Sequence, residues 1–171
     1  MLEGSKIQNN ILIPAFVRLR QRIASNILKT GRNASGRTIK SLRVVPVNSF
    51  EVQLRGRFPF GTMETGRKGG KVPYHFVDII KQWIEDKRIK VTPVPIVRKS
   101  KYTPYQRGLN ALAGAIAYKI RKQGTQLHRA GGDDAIYSKE IPATIEEVGN
   151  DLRKSLFTII KNEHIILAKD R

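Results

Sequence analysis

The chain has 171 residues, 40% of them hydrophobic, and sets 32 Lys+Arg against 14 Asp+Glu for a formal net charge of +18. That length and apolar content suit one domain with a real core. With no cysteine, disulfides and thiolate metal sites are excluded; no apolar run approaches the ~20 residues that cross a bilayer, and the opening MLEGSKIQNNILIPAF has no signal-peptide apolar region, so a cytosolic origin is expected.

The charge is uneven. Residues 1–130 carry 26 Lys+Arg and 6 Asp+Glu, whereas residues 131–171 carry 6 and 8. The excess is well beyond the ~2–8 usual for a small domain, so a polyanion is the expected neighbour of the first three quarters of the chain.

In chain order, residues 1–10 are polar and aperiodic, which predicts a flexible arm or an extension ordered by a partner. A first helix is predicted over 14–30, with Pro14 in its first turn and Gly31 just past its end. Leu12, Phe16, Leu19, Ile23 and Ile27 form its apolar stripe, and Arg18, Arg22 and Lys29 lie off it. After the loop GRNASG, one helical turn is expected over 38–41. Residues 42–47 and 50–55 then read as two antiparallel strands turning at Asn48-Ser49. Phe50, Val52 and Leu54 alternate with polar residues, and Pro46 marks an edge or an end. Such a hairpin alone is marginal and needs helices or neighbouring strands.

The stretch from Phe58 to Lys87 has two halves of opposite character. Residues 58–73 hold four glycines and the cations Arg67, Lys68 and Lys71, which predicts a mobile basic loop. Tyr74 to Asp86 then reads as a helix whose apolar residues Phe76, Ile79, Ile80, Trp83 and Ile84 share one face. Phe76, Ile80 and Trp83 are expected to anchor the loop in the core.

Ile89 to Gln106 contains Pro93, Pro95 and Pro104, which argue against helix and for an edge strand or a loop lying on another surface. Arg98, Lys99 and Lys101 form a second basic cluster beside Tyr102 and Tyr105. These tyrosines could stack on bases, but packing is the expected role. A clear helix follows over 107–123, with Lys119, Arg121 and Lys122 crowding its last turn, where they favour the helix dipole. A long linker is expected over 125–143, and Thr144-Ile145-Glu146-Glu147 has the pattern of a capping box. A final helix is predicted from there to about Ala168, packed on the core or on a neighbour. The domain scheme is an arm (1–10), a core (11–130), and a linker with a terminal helix (131–171).

Catalytic chemistry finds no foothold. Gly66 to Lys71 has three residues between its outer glycines, and Val72 follows the lysine, so it lacks the spacing and the magnesium-binding hydroxyl of a nucleotide-hydrolysing loop. His75, His128 and His164 are scattered, and Asp133-Asp134 reads as a solvated turn rather than half of a two-metal site. Ser35, Ser41 and Ser100 have no flanking base or elbow. No enzyme activity, cofactor, metal or catalytic residue is expected.

Three stretches, in this order, carry a resemblance. ASGRTIKSLRV (Ala34 to Val44), METGRKGGKVPYHFVDIIKQWIEDKRI (Met63 to Ile89) and IAYKIRKQGTQLHR (Ile116 to Arg129) resemble blocks of the phage tail-completion and head–tail joining proteins. The middle block is the most specific; in it, Gly69 stands where that family often has proline and Arg88 where it often has glycine. The resemblance implies an α+β subunit with a small antiparallel sheet around 42–55, about four helices and extended arms. It further implies a homo-oligomeric ring of the virion that sits between portal or adaptor and tail proteins, with double-stranded DNA passing through. On this reading the basic loop faces either DNA phosphates or an acidic neighbouring ring, and no membrane is involved. The rival reading is a non-virion, basic nucleic-acid-binding protein that contacts the phosphate backbone.

Overall fold

The structure, a computed structural model, describes residues 4–96 and 100–169. It is an α+β fold of seven α-helices in these residues: α1 (Gly4–Ile7), α2 (Ile13–Lys29), α3 (Arg37–Ser41), α4 (Phe76–Asp86), α5 (Pro104–Gln123), α6 (Gln126–Arg129) and α7 (Glu140–Lys169). Two strands, β1 (Arg43–Asn48) and β2 (Glu51–Arg55), pair antiparallel, with a register shift between Pro46 and Asn48. The chain divides into two compact units. One is built from residues up to Thr30, from Thr38–Arg57 and from Asp134 onward; the other comprises Gly31–Arg37 and Phe58–Asp133. These boundaries do not follow the arm, core and tail scheme. The first unit gathers three separated segments, which no local sequence pattern reveals.

In the first unit α2 packs against the hairpin and against α7. Its buried stripe is Ile11, Ala15, Leu19, Ile23 and Ile27, a run of i+4 steps. Leu12 and Phe16, expected inside, are half-buried. The segment expected as an arm is helical from Gly4: α1 passes through a π-helical stretch, Gln8–Leu12, into α2. Ile11, buried in that stretch, ties it to the core.

Polar contacts between α2 and α7 are dense. Arg22 donates to Thr144 Oγ1 at 2.9 Å and pairs with Glu140 at 3.2 Å and Glu147 at 3.3 Å. Arg18 pairs with Glu147 and Asp151. The buried Asn26 donates to Ile136 O at 3.1 Å and to Glu140 Oε1 at 2.8 Å. The expected capping box at Thr144 does not form. The helix starts four residues earlier, at Glu140, because Pro142 is accommodated in a first turn, where its missing N–H costs nothing. Thr144 instead donates to Glu140 O at 2.7 Å inside the helix. Of the three cations that lie off the stripe of α2, Arg18 and Arg22 are thus ion-paired and Lys29 is exposed.

In the second unit α4 lies against α5. Phe76, Ile80, Ile84, Val91, Leu109, Ala113 and Ala117 form its core, flanked by Val72, Leu112, Ile116 and Ile120. Pro104 begins α5 rather than barring it: Thr103 is the N-cap, with a reciprocal capping box to Gln106, and proline fits the first helical position. Residues 91–96 join no sheet, which decides for a loop lying on another surface. Their backbone runs so close to α5 that a Cβ on Gly108 would stand 2.2 Å from Thr92 O.

Helix α4 closes with a Schellman turn. Ile89 N donates to Ile84 O at 2.9 Å and Arg88 N to Glu85 O at 2.9 Å, which puts Arg88 at φ +53°, the left-handed position that glycine fills without strain. Arg88→Gly is therefore expected to stabilise the protein by about 1 kcal/mol, read as a higher denaturation midpoint at unchanged slope.

Candidate functional site

The basic loop is not mobile in the sense expected; it is pinned to the end of α5. Arg67 N donates to Thr125 Oγ1 at 2.9 Å, and Thr125 N donates back to Arg67 O at 2.9 Å. Gly70 N donates to Arg121 O at 2.8 Å. Thr125 Oγ1 also accepts from His128 N at 3.3 Å, capping α6.

Glycines make this approach possible. Gly66 (φ +68°) and Gly124 (φ +79°) both occupy the left-handed region. A Cβ on Gly66 would lie 2.5 Å from His128 N and Thr125 Oγ1, and one on Gly124 would lie 2.6 Å from Arg67 O. The loop's glycines, read from sequence as a source of freedom, therefore permit close backbone contact.

A second clamp holds the loop's other side. Asp133 N donates to Glu64 O at 3.0 Å. Arg32 donates to Met63 O at 2.6 Å and makes a two-pronged ion pair with the Asp133 carboxylate. The hydrogen bond to Asp133 holds the Arg32 guanidinium pKa above its ordinary value. Asp133 is thus a structural partner of Arg32, not a member of a free carboxylate pair.

The three loop cations end up in different roles. Arg67 is turned inward: its guanidinium donates to Lys71 O at 2.6 Å and stands 5.3 Å from the Phe76 ring centroid. Lys68 and Lys71 are exposed. Gly69, Gly70 and Lys71 meet Tyr118, Arg121 and Lys122 around an open depression of about 790 Å³. Lys122 Nζ stands 5.7 Å from the Tyr118 ring centroid. Among the described residues, no carboxylate lines this shelf. Sequence reasoning assigned Arg121 and Lys122 to the helix dipole and missed Tyr118. The overlooked signal was the Gly124-Thr125 pair, whose glycine lets a second chain segment come alongside.

The remaining predicted residues are dispersed. Phe76 and Ile80 are buried, and so is Ile84, but Trp83 is 39% exposed and Ile79 52%. The tryptophan therefore does not hold α4 in the core; it borders an apolar groove of about 340 Å³ with Phe76, Ile79, Ile116 and Ile120. Arg98 and Lys99 lie outside the described residues. Lys101 stands 5.0 Å over the Tyr102 ring. Tyr102 and Tyr105 are substantially exposed rather than packed. Among the described residues, no three His, Asp or Glu side chains gather where they could share a metal ion, and no helix is long and apolar enough to cross a membrane.

The shelf combines lysine and arginine heads, a cation-backed aromatic face and exposed glycine backbone. Chemically, such a set suits anionic oxygens, through charge and hydrogen bonds, without base-specific readout. No protein-family model matches the chain, and neither a curated protein nor a solved structure matches it.

Proposed function

We propose that the chain is a structural protein of a phage particle, a ring-forming subunit of the head–tail connector or neck, of the tail-completion type, joining portal to tail around the DNA channel. The observation that carries this reading is the shelf of Lys71, Arg121 and Lys122, with the exposed Lys68 next to it in the loop. It stands where two of the three resembling stretches, 63–89 and 116–129, are hydrogen-bonded together. Cations without carboxylates suit phosphate contact alone, and a duplex that must slide tolerates nothing more selective. Among the described residues the two-stranded hairpin has no third strand to cover its edges, which suits completion by neighbouring copies, and head-to-tail copies close into a ring when the rotation closes. Assembly would take place in the host cytoplasm, and the finished site is the virion.

The second reading, a free nucleic-acid-binding protein, draws on Tyr118 beside Lys122 and Tyr102 beside Lys101, because aromatic faces flanked by cations stack on unpaired bases. Mass measurement and DNA titration on the same preparation separate the two. The ring subunit gives ring-sized particles and weak, sequence-blind duplex binding that fades with salt. A protein that stays monomeric, never enters particles and binds single strands tightly overturns the first reading in favour of the second.

A further inference from the structure

Helix α7 turns its charged side inward. Glu140, Thr144, Glu147 and Asp151 face Arg18 and Arg22 of α2. Among the polar residues left outside runs an apolar row. Ile141, Ile145, Leu156 and Ile160 are exposed, and Val148 and Leu152 between them are only half-buried. At 100° per residue these six form one continuous stripe along a helix of 30 residues. Gly149 sits beside the stripe, in the helix interior, where glycine is weakening. No described residue requires it there, since an added Cβ would meet no atom of theirs within 4 Å.

From these observations we propose that α7 is an interface between two copies of this chain, packed antiparallel about a two-fold axis that crosses the helix between Asn150 and Asp151. About that point Ile141, Ile145, Leu156 and Ile160 exchange with one another, while Val148 falls opposite Arg153. Ile141 falls opposite Ile160 of the second copy, Ile145 opposite Leu156, and Gly149 opposite Leu152, so the glycine receives the large side chain at the crossing. The flanking charges are self-complementary too. Glu146 and Arg153 are exposed and lie on the same side of the stripe. In an antiparallel pair, residues on the same flank meet each other, which brings Glu146 of each copy to Arg153 of the other, twice by symmetry. A parallel pair would match neither the glycine nor the charges.

This pairing differs from ring formation. Copies in one ring all point the same way, whereas a two-fold reverses one of them. The pair therefore joins two rings face to face or belongs to the protein before it enters a ring.

Sedimentation equilibrium tests the assignment. The wild type is expected to reach twice the 19.3 kDa chain mass at micromolar concentration. Glu146→Arg and Arg153→Glu should each weaken pairing by about tenfold, and the double exchange should recover it. Gly149→Leu, which replaces a poor helix former by a good one, should abolish pairing while leaving thermal unfolding no lower. A wild type that stays monomeric throughout the range overturns the proposal, as does a double exchange no tighter than the singles, or a Gly149→Leu dimer of unchanged affinity. If a larger ring species appears, Gly149→Leu must halve its mass or leave single rings; an unaltered mass counts against the two-fold.

Discussion

Replacing Lys68, Lys71, Arg121 and Lys122 together by glutamine is expected to lower affinity for duplex DNA by two to three orders of magnitude at about 0.1 M salt. The logarithmic salt dependence should flatten by about three. Each phosphate neutralised by a lysine or arginine adds about 0.9 to that slope, so losing three to four contacts removes roughly this much. All four side chains are exposed and the loop is held by backbone groups and Thr125 Oγ1, so the variant should unfold at the wild-type denaturant concentration. Lys29 and Lys40, also exposed but in the other unit, provide the control: their removal should shift binding only by the general change in net charge. Fluorescence anisotropy across a salt series measures both affinity and slope. If the quadruple variant keeps the wild-type slope, the shelf does not touch DNA and serves a protein neighbour instead.

Substituting Gly124 by valine should be the most damaging single change in the second unit. Three effects combine. A β-branched residue in the left-handed region is strained by about 1–2 kcal/mol. Its Cβ would collide with Arg67 O at 2.6 Å. Relieving that collision separates Arg67 from Thr125 and breaks two reciprocal hydrogen bonds, each contributing about 1 kcal/mol. A loss of more than about 3 kcal/mol is expected from urea denaturation, with Gly66→Val close behind for the same reasons. Gly114→Ala should act in the opposite direction. That glycine lies within α5, a Cβ there meets nothing within 4 Å, and alanine should add about 0.5–1 kcal/mol. If Gly124→Val proved neutral, the clasp between loop and helix end would be absent in solution.

Periodicity revealed what depends on one helix or one hairpin. The i+3 and i+4 spacing located α2, α4 and α5 to within a few residues, and alternation around Val52 located the strands. Features set by partners at long range were not legible. Trp83 shares a face with Phe76 and Ile80, yet that face is wider than α5 can cover, so its far side is left at the surface. The ion pairs of Arg18 and Arg22 were invisible because their carboxylate partners lie more than 110 residues away. Pro104 read as a helix breaker, although one residue after a capping threonine it starts a helix. The candidate site was half legible. Local charge density pointed to Lys68 and Lys71, but a cation's tether, such as that of Arg67 to Lys71 O, is a tertiary matter.

Because the first unit takes its pieces from early, middle and late parts of the chain, the second unit is threaded through it in two segments, Gly31–Arg37 and Phe58–Asp133. A ribosome, emitting the polypeptide from its start, releases every residue of the second unit before α7 exists. Until then Arg18, Arg22 and Asn26 wait without their carboxylates and carbonyl, and only arrival of the last segment closes the long loop. Maturation of the two units is therefore staggered in time, and a chain truncated after Asp133 and released would carry every residue of the second unit and an incomplete first one.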